Sequence, residues 1–184
     1  MLHFAAFAAG GAACILGFME IFLMRHGLAV ERGTTGFKDD ALRPLTPKGR
    51  RQLRKIATAI KKMDLRCDQI LSSPLVRAKQ TAEIVAAELK LKKCLKFSNA
   101  LAPGGDAAIL LRQLTRMRPS PKRLLLVGHE PDLSRLISRL VTGGLELQLD
   151  FKKGGLCKLE VETLRDGKCA KLAWLLTPKQ MKLF

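Results

Sequence analysis

Residues 20–27 read EIFLMRHG, a short apolar run that ends in an arginine, a histidine and a glycine. Two later segments share this arrangement, since residues 69–77 read QILSSPLVR and residues 124–131 read LLLVGHEP. Each segment begins as a buried strand would and continues into a turn or helix start that carries cationic or imidazole side chains. Three such strands, with amphipathic stretches between them, predict an α/β fold.

Four helices are predicted from start signals and apolar stripes. Thr46-Pro47 combines an N-cap residue with a proline in the first turn, which predicts a helix over residues 47–63. Ser73-Pro74 repeats this signal and predicts a second helix from that point. A third helix is expected from Asp106 and a fourth from near Pro131.

The C-terminal part of the chain has a different pattern. Residues 156–161 alternate between apolar and polar side chains, and residues 170–176 form a second apolar run after a turn-like Arg165-Asp166-Gly167. These segments predict two more strands, arranged as antiparallel neighbours.

The first eighteen residues contain no Lys, Arg, Asp or Glu, and fourteen of them are apolar. A signal peptide would have a basic leader, and a membrane anchor would run directly into the strand at Glu20. Residues 1–18 are therefore interpreted as a dispensable, weakly ordered extension, with Met19 as an alternative native start. Residues 19–184 are expected to form a single domain, which their length and the 47% hydrophobic content allow.

The net charge of +17 attracts anionic partners, a class that includes nucleic acid, anionic lipid, phosphoproteins and small phosphates. The five cysteines are widely spaced and form no Cys-x-x-Cys pair, so neither a structural metal nor a disulfide scaffold is expected. Reduced thiols serving as small hydrophobic side chains favour a cytoplasmic location.

The polar side chains that follow the strands predict a phosphoryl site. Parallel strands end at one edge of a sheet, so Arg25, His26, Arg77 and His129 are expected to face one pocket. Guanidinium groups and a helix N-terminus suit phosphate oxygens, and a neutral imidazole can attack phosphorus as a nucleophile.

The same motifs, in the same order, resemble the histidine phosphatase superfamily. The resemblance consists of Arg25-His26-Gly27 after the first strand, Ser72-Ser73-Pro74 followed by Arg77-Ala78-x-Gln80-Thr81-Ala82, and Gly128-His129 late in the chain. The short length, residues 43–49 and the Gly-His-Glu-Pro at 128–131 are similar, more narrowly, to SixA-type phosphohistidine phosphatases.

This resemblance implies a three-layer α/β/α sandwich with a mostly parallel central sheet, as in phosphoglycerate mutase. It also implies an enzyme without metal or cofactor, in which His26 is transiently phosphorylated while Arg25, Arg77 and His129 hold the phosphoryl oxygens. Arg43 is a candidate substrate contact. The implied partner is a phosphohistidine-bearing signalling or phosphotransfer protein, and the enzyme is expected to act as a monomer.

The identity of a proton donor is left open. Many members of the superfamily resemble one another in having a carboxylate after the second helix, where this chain has no glutamate. Asp106, Glu130 or neither fills that role, and Asp106 suits a helix N-cap equally well. A weak or absent acid favours a P–N substrate, because phosphohistidine has a better leaving group than a sugar phosphate.

Two other functions fit the sequence less well. A general phosphomonoesterase acting on small metabolites would use the same nucleophile. A non-enzymatic polyanion-binding protein would use the basic residues of the first helix, yet residues 19–184 offer no Tyr and one Trp for stacking on bases. Neither nucleic acid nor membrane is an expected partner.

Overall fold

Six strands form one sheet in the computed structural model, which describes residues 18–184. In chain order the strands are β1 (Met19–Arg25), β2 (Gln69–Ser72), β3 (Leu95–Phe97), β4 (Arg123–Gly128), β5 (Leu156–Val161) and β6 (Ala170–Leu176). The helices are α1 (Pro47–Lys62), α2 (Val76–Glu88), α3 (Ala107–Thr115), α4 (Asp132–Thr142) and α5 (Pro178–Met181).

The sheet has the order β3-β2-β4-β1-β5-β6 and is mostly parallel, as predicted. Strands β3, β2, β4 and β1 pair in parallel, whereas β5 is antiparallel to both β1 and β6. The expectation of two antiparallel C-terminal strands is therefore confirmed. The four parallel strands bring their carboxyl ends to the same edge of the sheet.

Helices cover both faces of the sheet, which explains why the central strands are continuously apolar. Phe22 and Met24 of β1 pack into one core with side chains of α1 and α2. The alternate residues of β1, Ile21 and Leu23, pack into a second core with side chains of α3 and α4. This arrangement confirms the three-layer α/β/α sandwich.

Two of the predicted helix starts carry the expected side-chain caps. The Thr46 hydroxyl accepts a hydrogen bond from the Gly49 N–H at 3.0 Å, at the start of α1. The Asp106 carboxylate accepts one from the Ala108 N–H at 2.7 Å, at the start of α3. Each cap satisfies a backbone N–H that lacks a partner within the helix.

The predicted start of the second helix is wrong. The helix begins at Val76 with Leu75 as its N-cap residue, rather than at Ser73-Pro74. Ser73 still belongs to extended chain, where its N–H donates to the Val127 carbonyl at 2.9 Å. Its hydroxyl is close to the His129 ring and so serves the site rather than the helix.

Strand β3 was not predicted, since its three residues include Lys96 and show no buried alternation. The predicted extension over residues 1–18 lies outside the described residues, apart from Phe18. Within residues 18–184, no helix combines the length and the apolar character that crossing a bilayer requires.

Candidate active site

Three neighbouring parallel strands bring the predicted site residues together. Arg25 ends β1 opposite Gly128 of β4, and His26 and His129 follow these two residues directly. Arg77 lies in the first turn of α2, shortly after β2. The His26 and His129 rings are 5.0 Å apart between centroids, so both imidazoles face the same small region.

His26 is held in one tautomer by the backbone carbonyl of the next residue, Gly27. Its Nδ1 lies 2.8 Å from the Gly27 carbonyl oxygen, which can only accept, so Nδ1 carries the proton and Nε2 keeps a lone pair. Burial lowers the pKa of His26 to about 3, and the nearby positive charges act in the same direction while the Gly27 hydrogen bond opposes it. The ring is consequently neutral near pH 7, with a free nitrogen able to attack an electrophile.

The turn that carries His26 is fixed to α2 by Thr81. The Gly27 N–H donates to the Thr81 hydroxyl at 3.1 Å, and that hydroxyl donates to the Arg77 carbonyl at 2.7 Å. A larger residue at position 27 would displace the buried Leu53 side chain, because an added Cβ would lie 2.5 Å from Cδ1 of Leu53. The Arg-His-Gly sequence thus packs tightly between α1 and α2.

His129 is buried and has one ring nitrogen free. Its Nε2 lies 2.9 Å from the Ser73 hydroxyl, while its Nδ1 is buried without a partner. With the Ser73 hydroxyl donating to Nε2, the neutral ring carries its proton on Nδ1 and offers a donor to the site. Burial, followed by the charge of Arg77, lowers the pKa of His129 to about 4.

Both arginines keep a donor unused. Arg77 is 3% exposed and donates through its terminal nitrogens to the Asp40 carbonyl at 2.7 Å and to Asp40 Oδ2 at 2.8 Å. Arg25 donates from a terminal nitrogen to the Phe151 carbonyl at 2.7 Å. The Nε atoms of Arg25 and Arg77 are both buried without a partner.

Unpartnered buried donors are concentrated in this site. Among the described residues, four buried side-chain polar atoms lack a hydrogen-bond partner, and three of them are Arg25 Nε, Arg77 Nε and His129 Nδ1. A buried donor without a protein partner is costly unless water or a ligand supplies the acceptor. Two cationic donors and an imidazole match a phosphoryl group, which has several acceptor oxygens.

Asp40, which the sequence analysis missed, organises the arginines. Its Oδ1 accepts hydrogen bonds from Arg43 at 2.7 and 2.9 Å and from Arg32 at 3.1 Å, while Oδ2 accepts from Arg77. Burial alone would raise the pKa of Asp40, but the hydrogen bond from Arg43 and the charge of Arg77 outweigh it and lower the pKa to about 2. The sequence feature that could have pointed to Asp40 is an acidic pair, Asp39-Asp40, that lies between Arg32 and Arg43.

Arg43 lies beside the site, and each nitrogen of its guanidinium already makes one hydrogen bond. Besides the hydrogen bonds to Asp40, one terminal nitrogen donates to the Val30 carbonyl at 2.5 Å. Arg43 and Arg77 are therefore linked by Asp40, whose carboxylate accepts hydrogen bonds from both. Its role as a substrate contact stays a prediction.

The two candidate proton donors both serve helix starts. Asp106 caps α3, as described above. Glu130 turns onto the first turn of α4, where its carboxylate accepts from the Ser134 N–H at 3.1 Å and from the Ser134 hydroxyl at 2.6 Å. Each carboxylate thus has a structural use that is independent of catalysis.

A family model and several known proteins are similar to this chain in sequence. Residues 21–98 match the family model of the histidine phosphatase superfamily (branch 1). An uncharacterised protein of Picosynechococcus sp. is 37% identical over 142 residues, which cover 77% of this chain and 84% of that protein. The phosphohistidine phosphatase SixA of Escherichia coli is 26% identical over 166 residues, covering 90% of this chain and 98% of SixA.

Solved structures agree with the sequence matches. The histidine phosphatase SixA in complex with tungstate superposes with a TM-score of 0.74 at 26% identity, covering 88% of this chain and 98% of that one. The sheet and its helices accordingly have the phosphoglycerate mutase-like fold that the motifs implied. From its sequence matches, its fold and the motifs that meet at the strand ends, the chain belongs to the histidine phosphatase superfamily.

Proposed function

We propose that this protein is a phosphohistidine phosphatase that removes the phosphoryl group from a histidine of a partner protein through a phospho-His26 intermediate. The observation that carries the proposal is the position of a neutral His26, with Nε2 unprotonated, beside three unpartnered buried donors. The nucleophile and the donors for the phosphoryl oxygens are thus present before any substrate arrives.

In the first step, His26 Nε2 attacks phosphorus and forms an N–P bond while the P–N bond of the substrate breaks. The electron pair of the broken bond stays on the departing imidazole, which leaves as a neutral ring when its other nitrogen is protonated. Arg25, Arg77 and His129 donate hydrogen bonds to the phosphoryl oxygens, whose charge is spread out in the transition state.

In the second step, water attacks the phosphorus of phospho-His26 and the Nε2–P bond breaks. The phosphorylated ring still carries its proton on Nδ1, hydrogen-bonded to the Gly27 carbonyl. It therefore departs from phosphorus as a neutral imidazole, which is a good leaving group. Inorganic phosphate is released and His26 returns to its starting state, with no metal in either step.

The engagement of both carboxylates favours a P–N substrate over a phosphate ester. An alkoxide leaving group requires a proton from a general acid, whereas an imidazole protonated on its other nitrogen does not. Asp106 and Glu130 are each held by backbone groups at helix starts. The relative named phosphohistidine phosphatase SixA, aligned over most of both chains, supports the same substrate class.

The test compares phosphate release from a phosphohistidine-bearing protein with release from a panel of phosphate monoesters, in the presence of a chelator. We expect hydrolysis of phosphohistidine that survives chelation and is lost in His26→Ala. Turnover of the monoesters alone would establish the general phosphomonoesterase instead. If neither substrate is hydrolysed by a folded enzyme, the proposal fails and the polyanion-binding alternative takes its place.

A further inference from the structure

A groove crosses the face of α2 between α1 and β3. Its volume is about 890 Å³. Its floor is partly apolar, with Ala57 from α1, Ile84 and Ala87 from α2, and Leu95 and Phe97 from β3. Ala86 and Ala87 of α2 have short side chains, which leave open space above this helix.

The groove carries an excess of positive charge. Arg50 and Arg54 line it from α1, and Lys79 and Lys92 line it from α2 and the segment before β3, against two carboxylates, those of Glu83 and Glu88. Glu88 is already paired with Lys61 at 3.4 Å. Among the described residues, the four lining cations have no carboxylate oxygen within ion-pair distance, and their charge is available to a partner.

Helix α1 extends this charge beyond the groove. It contains seven Lys or Arg residues and no Asp or Glu. Such a helix face repels cationic partners and attracts acidic ones, and the effect is strongest at low salt.

One end of the groove opens at the active-site edge of the sheet. Phe97 is the last residue of β3 and pairs with Ser72, the residue before Ser73. Lys79 Nζ lies 5.7 Å from the centroid of the Phe97 ring and follows Arg77 by two residues on α2. Neighbouring strands are about 4.8 Å apart and β3 is three strands from β1, so this end of the groove lies roughly 14 Å from His26. An extended chain covers that distance in about four or five residues, so the flanking residues of a bound phosphohistidine can reach the groove.

We propose that this groove binds an acidic segment of the phosphohistidine-bearing partner, next to the histidine that is dephosphorylated. The inference rests on the proposed function and adds the chemistry of the partner. Acidic side chains pair with the cations of the rim, and apolar side chains of the segment cover Phe97 and Ile84. Docking in the groove aligns the phosphohistidine with His26 and lowers the KM for a protein substrate.

The test uses two synthetic peptides, each phosphorylated on a single histidine and differing only in the flanking residues. One has about eight flanking residues on each side rich in Asp and Glu, and the other has Asn and Gln at the same positions. An extended segment of that length spans about 26 Å, enough to follow the groove in either direction. Initial rates are measured with wild type and with the double variant Arg50→Glu/Lys79→Glu.

We expect wild type to prefer the acidic peptide by roughly tenfold in kcat/KM, mainly through KM, and to lose the preference as salt rises from about 0.05 to 0.3 M. The double variant loses the preference while its turnover of the neutral peptide stays within about twofold of wild type. The matched control Lys168→Glu/Lys171→Glu changes the same number of charges at β6, the opposite edge of the sheet, and keeps the preference.

Three outcomes would overturn the assignment. Wild type could hydrolyse both peptides equally, the preference could survive in Arg50→Glu/Lys79→Glu, or a single-stranded DNA could bind through these two residues while peptide charge has no effect. If the double variant is unstable, Arg50→Gln/Lys79→Gln gives the same comparison. Failure to hydrolyse either peptide is a different result, which contradicts the proposed function itself.

Discussion

At the scale of single residues, one carboxylate holds Arg77, an arginine of the candidate site. Asp40 accepts hydrogen bonds from Arg77, Arg43 and Arg32, and it leaves the Nε of Arg77 buried and unpaired. Asp40 is therefore a positioning residue, which orients a guanidinium without reaching the reacting atoms. Since its pKa is lowered to about 2, the carboxylate stays ionised at every pH at which the enzyme would be assayed.

We predict that Asp40→Asn lowers kcat/KM for phosphohistidine by about 10- to 100-fold, because it removes charge-assisted hydrogen bonds of about 1.5–3 kcal/mol. Inhibition by tungstate, a phosphate analogue, should weaken by a similar factor, which a purely structural role would not produce. The control is Asp39→Asn, since Asp39 caps a short 3-10 helix through the Ala41 N–H and asparagine caps equally well. Unchanged kinetics and tungstate binding in Asp40→Asn would refute this role.

Asp40 also marks what could not be predicted from the sequence at this scale. Arg25, His26, Arg77 and His129 could be predicted to lie together because each stands at the end of a recognisable strand or shortly after it. Asp40 belongs to a loop without hydrophobic periodicity, and its contact with Arg77 joins positions 37 residues apart. Such a contact depends on how the loop folds back over α2, and local sequence patterns do not predict that path.

At the scale of helices and strands, the carboxylates of Asp106 and Glu130 stabilise the starts of α3 and α4. We predict that Asp106→Asn and Glu130→Gln each keep phosphohistidine hydrolysis within about twofold of wild type, because the imidazole leaving group needs no general acid. The measurement is kcat/KM for each variant beside its free energy of unfolding. Asp106→Asn should also retain its stability, since asparagine is an equally good N-cap.

A loss of more than about tenfold in kcat/KM in one of these variants, with stability unchanged, would identify a general acid. A P–N substrate would then no longer be favoured over a phosphate ester. Turnover of phosphate monoesters would become the better description of the enzyme.

Two similar helix start signals in the sequence had different outcomes, since one start was predicted correctly and the other was not. Thr46 and Ser73 both precede a proline, yet only the Thr46 hydroxyl caps a helix. Ser73 is instead committed to the His129 ring, 56 residues later in the chain. Strand β3 depends in a similar way on its neighbour, since β2 supplies the pairing that its own three residues do not predict.

At the scale of the whole molecule, the α/β/α layering could be predicted because apolar runs and amphipathic stretches alternate along the chain. The groove beside the site could not be predicted, since it depends on how α1, α2 and β3 pack together.

The two buried histidines link the candidate site to the stability of the whole protein. His26 and His129 have pKa values of about 3 and 4 when folded, against 6.5 for an ordinary histidine.

We predict that the protein loses stability as the pH falls from 6.5 towards 4. In this range the unfolded chain binds protons at both histidines and the folded chain does not, so each histidine contributes a loss of about 1.4 kcal/mol per pH unit. Denaturant unfolding at several pH values measures the slope. His26→Asn should reduce the slope of the unfolding free energy against pH by about 1.4 kcal/mol per pH unit. An unchanged slope would mean that His26 is not buried as a neutral ring.

In the proposed mechanism, His26 carries the phosphoryl group during turnover. The most direct test of this step is rapid acid-free quenching of the enzyme with a substrate protein labelled with ³²P on histidine, followed by mapping of the label. We expect an alkali-stable, acid-labile phosphoryl group on His26 that forms before phosphate is released and is absent in His26→Ala. Release of labelled phosphate by a folded His26→Ala enzyme at the wild-type rate would show that turnover does not pass through phospho-His26.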